Sequence, residues 1–279
     1  MSHPITGIDH AFLLVRDLDE AARSYARLGF TVSPRGLHSE HKGTANHTIM
    51  LDGDYFELLG IVREVPGNAE HRTNLAKGEG LNAIACQVGD TRAAVQALAE
   101  LGLTTTEPVD FERPVTLPGG GSGRAAFTVA AFDSSVVPHG YVFMCQHHTR
   151  ETVWLPELTH HANGARTLAG IVAAVDDPAA IANGYARLYA AGTTTPIVGG
   201  LEVWTGNTPI QFVTPSTLSA RYPDITVPTA AYAVLRIRAA DLTKARDVVA
   251  AGGIAAHDTA DGFAVAPETA AGAILEFVA

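Results

Sequence analysis

A chain of 279 residues is longer than one small core requires and suits two. With 47% apolar and 17% charged residues it reads as a well-buried globular protein, which excludes the disordered and fibrous classes. A formal charge of -10 with no cluster of Lys and Arg excludes a nucleic-acid surface, and no apolar run is long enough to span a bilayer.

The N-terminal residues 1–7 lack the basic-then-apolar pattern of a leader, so the expected setting is cytoplasmic. The first strand is predicted at 8–15 and carries His10. Asp17 caps the following helix, Glu20 stands where it can return the contact, and Leu18, Ala21, Ala22, Tyr25 and Leu28 recur at helical spacing up to Gly29. Strands are predicted at 30–33, 48–51 and 55–62, the last carrying Glu57, with Asp52-Gly53-Asp54 as a hairpin turn. The unit is βαβββ.

It recurs three times. The second copy opens at 81–88, is capped at Asp90, keeps Val95, Leu98 and Leu101 on one face up to Gly102, and closes with strands at 124–132 and 141–146. The third opens at 167–175, with Asp177-Pro178 starting its helix, Ile181, Tyr185 and Leu188 as its apolar stripe, and a hairpin at 201–205 and 210–214. The fourth has a strand at 232–237, a helix from Asp241 to Gly252, and strands at 263–266 and 273–278. Cys86 and Cys145 fall in apolar, strand-like runs and are expected as small buried hydrophobes rather than a disulfide. The expected class is therefore α+β: four βαβββ modules paired into two open, cup-shaped barrels, one from residues 1–150 and one from 151–279. The boundary is expected in 147–166, with His160-His161-Ala162-Asn163-Gly164 as linker.

Ile8-Asp9-His10 with Tyr55-Phe56-Glu57-Leu58-Leu59 resembles the vicinal oxygen chelate superfamily. Ser33-Pro34-Arg35-Gly36, Gly43-Thr44-Ala45-Asn46 and Cys145-Gln146-His147 make it most similar to the glyoxalase-like branch. The resemblance covers nearly the whole chain as a fold, with the sharper motifs between residues 8 and 166. It implies a divalent metal (zinc, iron, manganese or nickel) on a concave face, a small oxygenated substrate chelated through adjacent oxygens, and lyase, isomerase-like, dioxygenase or resistance activity. The family's ligands come from the first and fourth strands of two paired units. That gives His10 and Glu57 here, whereas unit two offers only Ala83 and Met144 at the matching places.

Three protein ligands and an open position commonly make a catalytic divalent site. His147, from the Cys-Gln-His motif, is the expected third ligand. Strand alternation from Met144 favours His148 instead, unless a bulge intervenes. His38 and His47 are either solvated loop histidines or, together with Glu57, the acid–base groups of the reaction. Arg35, Asn46 and Trp154 are the candidate substrate contacts, with Arg35 alternatively pairing to a surface carboxylate and Trp154 alternatively anchoring the linker. Glu276 stands at the offset of Glu57 but has Val234 in place of His10, so it reads as a packing carboxylate unless unit four pairs with unit one. Gly119-Gly120-Gly121-Ser122-Gly123 lacks the Lys-Ser/Thr of a phosphate loop and reads as a hairpin or flap. The expected partners are a small-molecule substrate and a second copy in a homodimer, with neither nucleic acid nor membrane. Sequestration of a ligand without turnover and iron-dependent ring cleavage are the competing functions.

Overall fold

The computed structural model describes residues 2–117, 120–137 and 139–279. Unit one comprises β1 (Ile5–Val15), α1 (Leu18–Arg27), β2 (Gly36–Leu37), β3 (Thr44–Met50) and β4 (Tyr55–Ile61), and α2 (Ala69–Lys77) leads out of it. Unit two comprises β5 (Gly80–Val88), α3 (Thr91–Glu100), β6 (Val109–Thr116), β7 (Ser122–Ala131) and β8 (Tyr141–His147). Unit three comprises β9 (Ala165–Ala174), α4 (Pro178–Ala186), β10 (Thr193–Ile197), β11 (Gly200–Trp204) and β12 (Ile210–Val213), followed by α5 (Pro215–Arg221). Unit four comprises β13 (Val234–Ala239), α6 (Leu242–Ala251), β14 (His257–Asp258), β15 (Gly262–Val265) and β16 (Ile274–Val278).

Four aspartates set this rhythm. Asp17, Asp90, Asp177 and Asp241 lie in non-helical backbone, and each side chain accepts the N–H three residues on. Each thereby satisfies a donor that the first helical turn leaves without a partner, worth about 1 kcal/mol per cap. Glu20 does not return the contact to Asp17; it accepts from Arg23 at 2.9 Å, along the exposed side of α1. Gly29, at φ +87, closes α1: its N–H reaches Ala26 O and that of Phe30 reaches Tyr25 O. This turn points Phe30 into the interior, so the strand expected at 30–33 does not form. Ser33 N reaches Thr48 O of β3, but Pro34, which has no N–H for a ladder, follows, and the ladder with β3 is formed at Gly36 and Leu37.

The strands form two eight-stranded sheets, ordered β2-β3-β4-β1-β5-β8-β7-β6 and β10-β11-β12-β9-β13-β16-β15-β14. In every unit the fourth strand lies parallel to the first, and the two first strands of a pair run antiparallel at the centre. Unit one therefore pairs with unit two, and unit four with unit three. The apolar faces of α1, α3, α4 and α6 share one core with the inward faces of both sheets, through residues such as Leu18, Leu98, Tyr185 and Val249. Phe30 stacks on Phe277 across that core at 5.8 Å, and the Tyr25 hydroxyl donates to Ala270 O. Residues of the concave faces form separate clusters outside it. Leu75 of α2 and Leu218 of α5 pack into those clusters, so each connecting helix lies against a cup. Cys86 and Cys145 are buried free thiols, and no described helix is long and apolar enough to cross a membrane.

Two contacts between the halves generate predictions. Asn207 mimics a strand partner for Ile8: its Oδ1 accepts from Ile8 N at 2.8 Å and its Nδ2 donates to Ile8 O at 2.7 Å. Asn207→Ala strands both backbone groups, and urea unfolding should show a loss of about 1–3 kcal/mol. Asp54, 5% exposed, accepts from Leu168 N at 3.0 Å, and burial pushes its carboxyl up to about 7. A carboxyl with a raised pKa binds its proton more tightly in the folded state, so its stabilising effect is complete at acid pH and fades as pH rises from about 4 to 7. Relative to Asp54→Asn, the wild-type chain should lose stability across that window and level off above it, as measured by denaturant unfolding at each pH.

Candidate active site

A bulge in β1 builds the site. Ile8 pairs with Cys86 and His10 with Ala85, so Asp9 is an extra residue on β1 with no opposite number on β5. Neighbouring residues of a regular strand face opposite ways; here Ile8, Ala11 and Leu13 join the helix-side core while Asp9, His10 and Phe12 turn to the concave side. The Asp9 carboxylate accepts His10 Nδ1 at 2.7 Å and His147 Nε2 at 3.0 Å, both on the same oxygen. Asp9 is 2% exposed, and burial alone would raise its pKa. The two imidazole hydrogen bonds outweigh that and hold it well below the usual carboxylate range. A charged carboxylate accepts only, so each ring gives it an N–H. In the neutral form of each ring the lone pair is then on the other nitrogen, Nε2 of His10 and Nδ1 of His147. His147 Nδ1 is buried and has no hydrogen-bond partner.

His147 reaches this position without a bulge after Cys145. Phe143, Cys145 and His147 alternate onto the concave side of β8, whereas Met144 lies in the helix-side core. The register explains the difference from the sequence expectation. Tyr55 pairs with His10 and Tyr141 with Ala83, so the counterpart of Glu57 is Phe143, not Met144. Unit two is apolar at both equivalent places all the same. His148, on the other face, is exposed and bonds Thr128 Oγ1 at 2.7 Å.

The cup encloses a cavity of about 330 Å³ lined by His10, Glu57, Asn46 and Cys145 on its strands, by His38 and Lys42 beyond β2, and by His71 of α2. Glu57 is 7% exposed and one of its oxygens accepts Asn46 Nδ2. Asn46 Oδ1 is itself buried without a partner. The His10 ring stacks on Tyr55 at 4.3 Å and meets the edge of Phe143 at 5.5 Å, which fixes its plane. Among the described residues the potential ligand atoms that converge within 4.8 Å belong to Asp9, His10, Cys145 and His147; Glu57 stands outside that group, on the same cavity wall.

The other sequence candidates separate cleanly. Asn46 lines the cavity, but His47, its neighbour in β3, faces away and bonds Ser33 O through Nδ1. It sits in a strand, not in a mobile loop, and the acid–base role considered for it finds no substrate space. His38 does reach the cavity. Burial, followed by the charges of Lys42, Arg113 and His71, pushes its pKa down to about 3, and Nδ1 pairs with Thr44 Oγ1 at 2.8 Å. It is a neutral hydrogen-bonding group at pH 7 rather than a proton store. Arg35 makes the surface pairing, with Asp19 at 3.4 Å, away from the cavity. Trp154 lies behind the wall: its Nε1 donates to Leu51 O, its ring packs on His147 at 5.2 Å, and Arg150 covers it at 3.3 Å. His161 is a structural clip from Thr31 N to Met50 O. In the other cup Glu276 bonds Arg236 Nε at 2.6 Å and the Tyr222 hydroxyl at 3.1 Å, which makes it a packing carboxylate. Of the glycine run, Gly119 lies outside the described residues, and Ser122 and Gly123 open β7.

The sequence profile of the glyoxalase-like domain matches residues 8–189. No curated protein matches by sequence. A hypothetical protein from Staphylococcus aureus shares the fold over 97% of this chain and 98% of its own, at 13% identity and a TM-score of 0.68. A mutant 4-hydroxymandelate synthase from Streptomyces coelicolor aligns over 92% of this chain and 77% of its own, at 12% identity and a TM-score of 0.57. A xylose isomerase-like TIM barrel/4-hydroxyphenylpyruvate dioxygenase fusion protein aligns over 92% of this chain and 40% of its own, at 13% identity and a TM-score of 0.56. The chain belongs to the glyoxalase-like domain family and has the paired-module fold of the vicinal oxygen chelate superfamily.

The low pKa values of the cavity imidazoles are testable. Burial holds His71, like His38, down to about 4, so neither ring should protonate between pH 5 and 8, roughly the window in which an unperturbed histidine titrates. Their ring-nitrogen chemical shifts, followed by NMR, should stay constant across that window.

Proposed function

We propose that the N-terminal cup is the active site of a metal-dependent enzyme acting on a small oxygenated substrate, in a lyase- or isomerase-like reaction. The observation that carries the reading is that His10, oriented by a buried carboxylate, and Glu57 line one enclosed cavity. A histidine whose Nδ1–H is held by a carboxylate is oriented and made more basic at Nε2, the arrangement that metal-binding histidines use. The nitrogen and oxygen donors of His10 and Glu57 fit a divalent ion of the zinc, iron, manganese or nickel type and leave positions for two substrate oxygens. When bound, such an ion supplies stabilisation for negative charge developing on a carbonyl or enediolate oxygen.

The remaining roles belong to the chain itself. Asn46 holds one oxygen of Glu57 and leaves the other to take a proton or a ligand position. Phe12, Phe111 and Phe143 exclude water and strengthen every polar interaction within the cup. His38 offers a neutral ring to hydrogen-bond substrate. His147 gives its N–H to the Asp9 oxygen that His10 uses and does not line the cavity, so this reading assigns it to support of Asp9 and His10. Structures that share the fold include ones named as a synthase and as a dioxygenase fusion, so the fold accommodates catalysts. The apolar Ala83 and Phe143 in unit two favour one competitor, a cup that sequesters its ligand without turnover.

Elemental analysis of the purified protein tests the reading. One ion per chain is expected, absent from His10→Ala and Glu57→Ala. Asp9→Asn and His147→Ala should retain it with affinity weakened about 10–100-fold. Protein that binds no divalent ion, with a cup still able to take up ligand, would leave the sequestering cup and overturn the enzyme.

A further inference from the structure

Two cations point into the N-terminal cup with no carboxylate to meet them. Lys42 and Arg113 both line the cavity, and neither has an Asp or Glu oxygen within 4.0 Å among the described residues, although eleven arginines of this acidic chain do. Burial lowers the pKa of each, the mark of a charge taken from water without full compensation, and Glu57 is the carboxylate that partly offsets it for both. Lys42 Nζ instead sits 3.5 Å over the Phe111 ring.

Their placement is built. Asn68, 1% exposed, donates to the carbonyls of Lys42 and Arg63 at 2.9 and 2.8 Å and so pins the turn that carries Lys42. Arg113 comes from β6, at the far edge of the same sheet, and reaches across β2 because Gly36 has no side chain; a Cβ there would lie 2.7 Å from Arg113 Nη1. Sequence elements some seventy residues apart thus present a point charge and a planar fork to one space. The wall also carries the flat apolar side chains of Phe12, Phe127, Tyr141 and Phe143.

We infer that Lys42 and Arg113 are a substrate-recognition pair that seats the carboxylate of a small, flat-bodied organic acid, whose body lies against the phenylalanines of the cup. Glu57 is the one Asp or Glu on the described wall that faces these two cations, a balance that suits a carboxylate better than a phosphate dianion. A volume of about 330 Å³ suits a molecule of roughly one ring and its substituents. The inference deepens the reading of this cup as a substrate site and does not depend on a metal ion.

Calorimetric titration with phenylglyoxylate and its neutral methyl ester tests it, each with protein stripped of metal by chelation and with protein reloaded. Wild-type protein should bind the acid roughly tenfold or more tightly than the ester in both states. Lys42→Met and Arg113→Met should abolish that preference, and Arg113→Lys should keep part of it. Because removing an uncompensated buried charge relieves strain, both Met variants should melt at or above the wild-type temperature, which separates lost recognition from lost folding. An acid that binds no better than its ester, including no uptake of either at millimolar concentration, overturns the inference, as does a preference that survives in both Met variants. A preference confined to reloaded protein also overturns it, since the ion would then do the recognising. A preference intact in protein that takes up no metal would sustain the inference while the enzyme reading fails.

Discussion

The Asp9 carboxylate is the point on which the site turns. Burying an ion costs several kcal/mol unless hydrogen bonds replace its water, and here two imidazole N–H groups converge on one of its oxygens. Hydrogen bonds to a charged group contribute about 1.5–3 kcal/mol each, which is the scale needed to keep Asp9 ionised at 2% exposure. The consequence runs outward. A charged Asp9 selects the tautomer of His10 and His147, and the chosen tautomer decides which nitrogen of each ring is left free. All of this needs Asp9 and His10 to face the same way, which a regular strand forbids and the bulge permits. Asn207, from the other half of the molecule, bonds both backbone groups of Ile8 immediately before that bulge.

Against this, the other units show what the scaffold does when it carries no such centre. Unit four keeps a carboxylate, Glu276, paired with Arg236 just as Glu57 pairs with Phe12 across the strands. There the arginine neutralises it in place and Tyr222 adds a hydrogen bond. In unit one the corresponding neighbour is a phenylalanine, and Glu57 is left with an amide partner and an open cavity. The same register position gives an ion-paired carboxylate in one cup and a carboxylate with only an amide partner in the other.

How much of this lay in the sequence differs by level. The repeat was legible because capping aspartates, helical stripes and closing strands are local signals. His10 and Glu57 stood out because each is a polar residue in an apolar strand. Asp9 carried the same signal, beside His10, but its role depends on an extra residue against β5, which no pattern within β1 announces. The parity of Asn46 and His47 was available from alternation once β3 was placed at 44–50 rather than 48–51. That Phe143 rather than Met144 is the counterpart of Glu57 depends on the ladder, which sets Tyr141 against Ala83 as Tyr55 stands against His10, a register that β8 alone does not disclose. Lys42 and Arg113 had no local signature: one lies in a turn and the other in β6, a strand the sequence pattern does not announce, and only the curled sheet brings them together.

The core shared by the two sheets has a bearing on how the molecule behaves as a whole. The buried stripes of α1, α3, α4 and α6 belong to one core that residues of both sheets complete, so the interior of each half is continuous with that of the other. A fragment ending near residue 150 would lose the Phe277 and Ala270 contacts of Phe30 and Tyr25, and Asn207 from the base of its own active strand. The two halves thus share one buried core despite the fourfold repetition, and their unfolding is expected to be coupled.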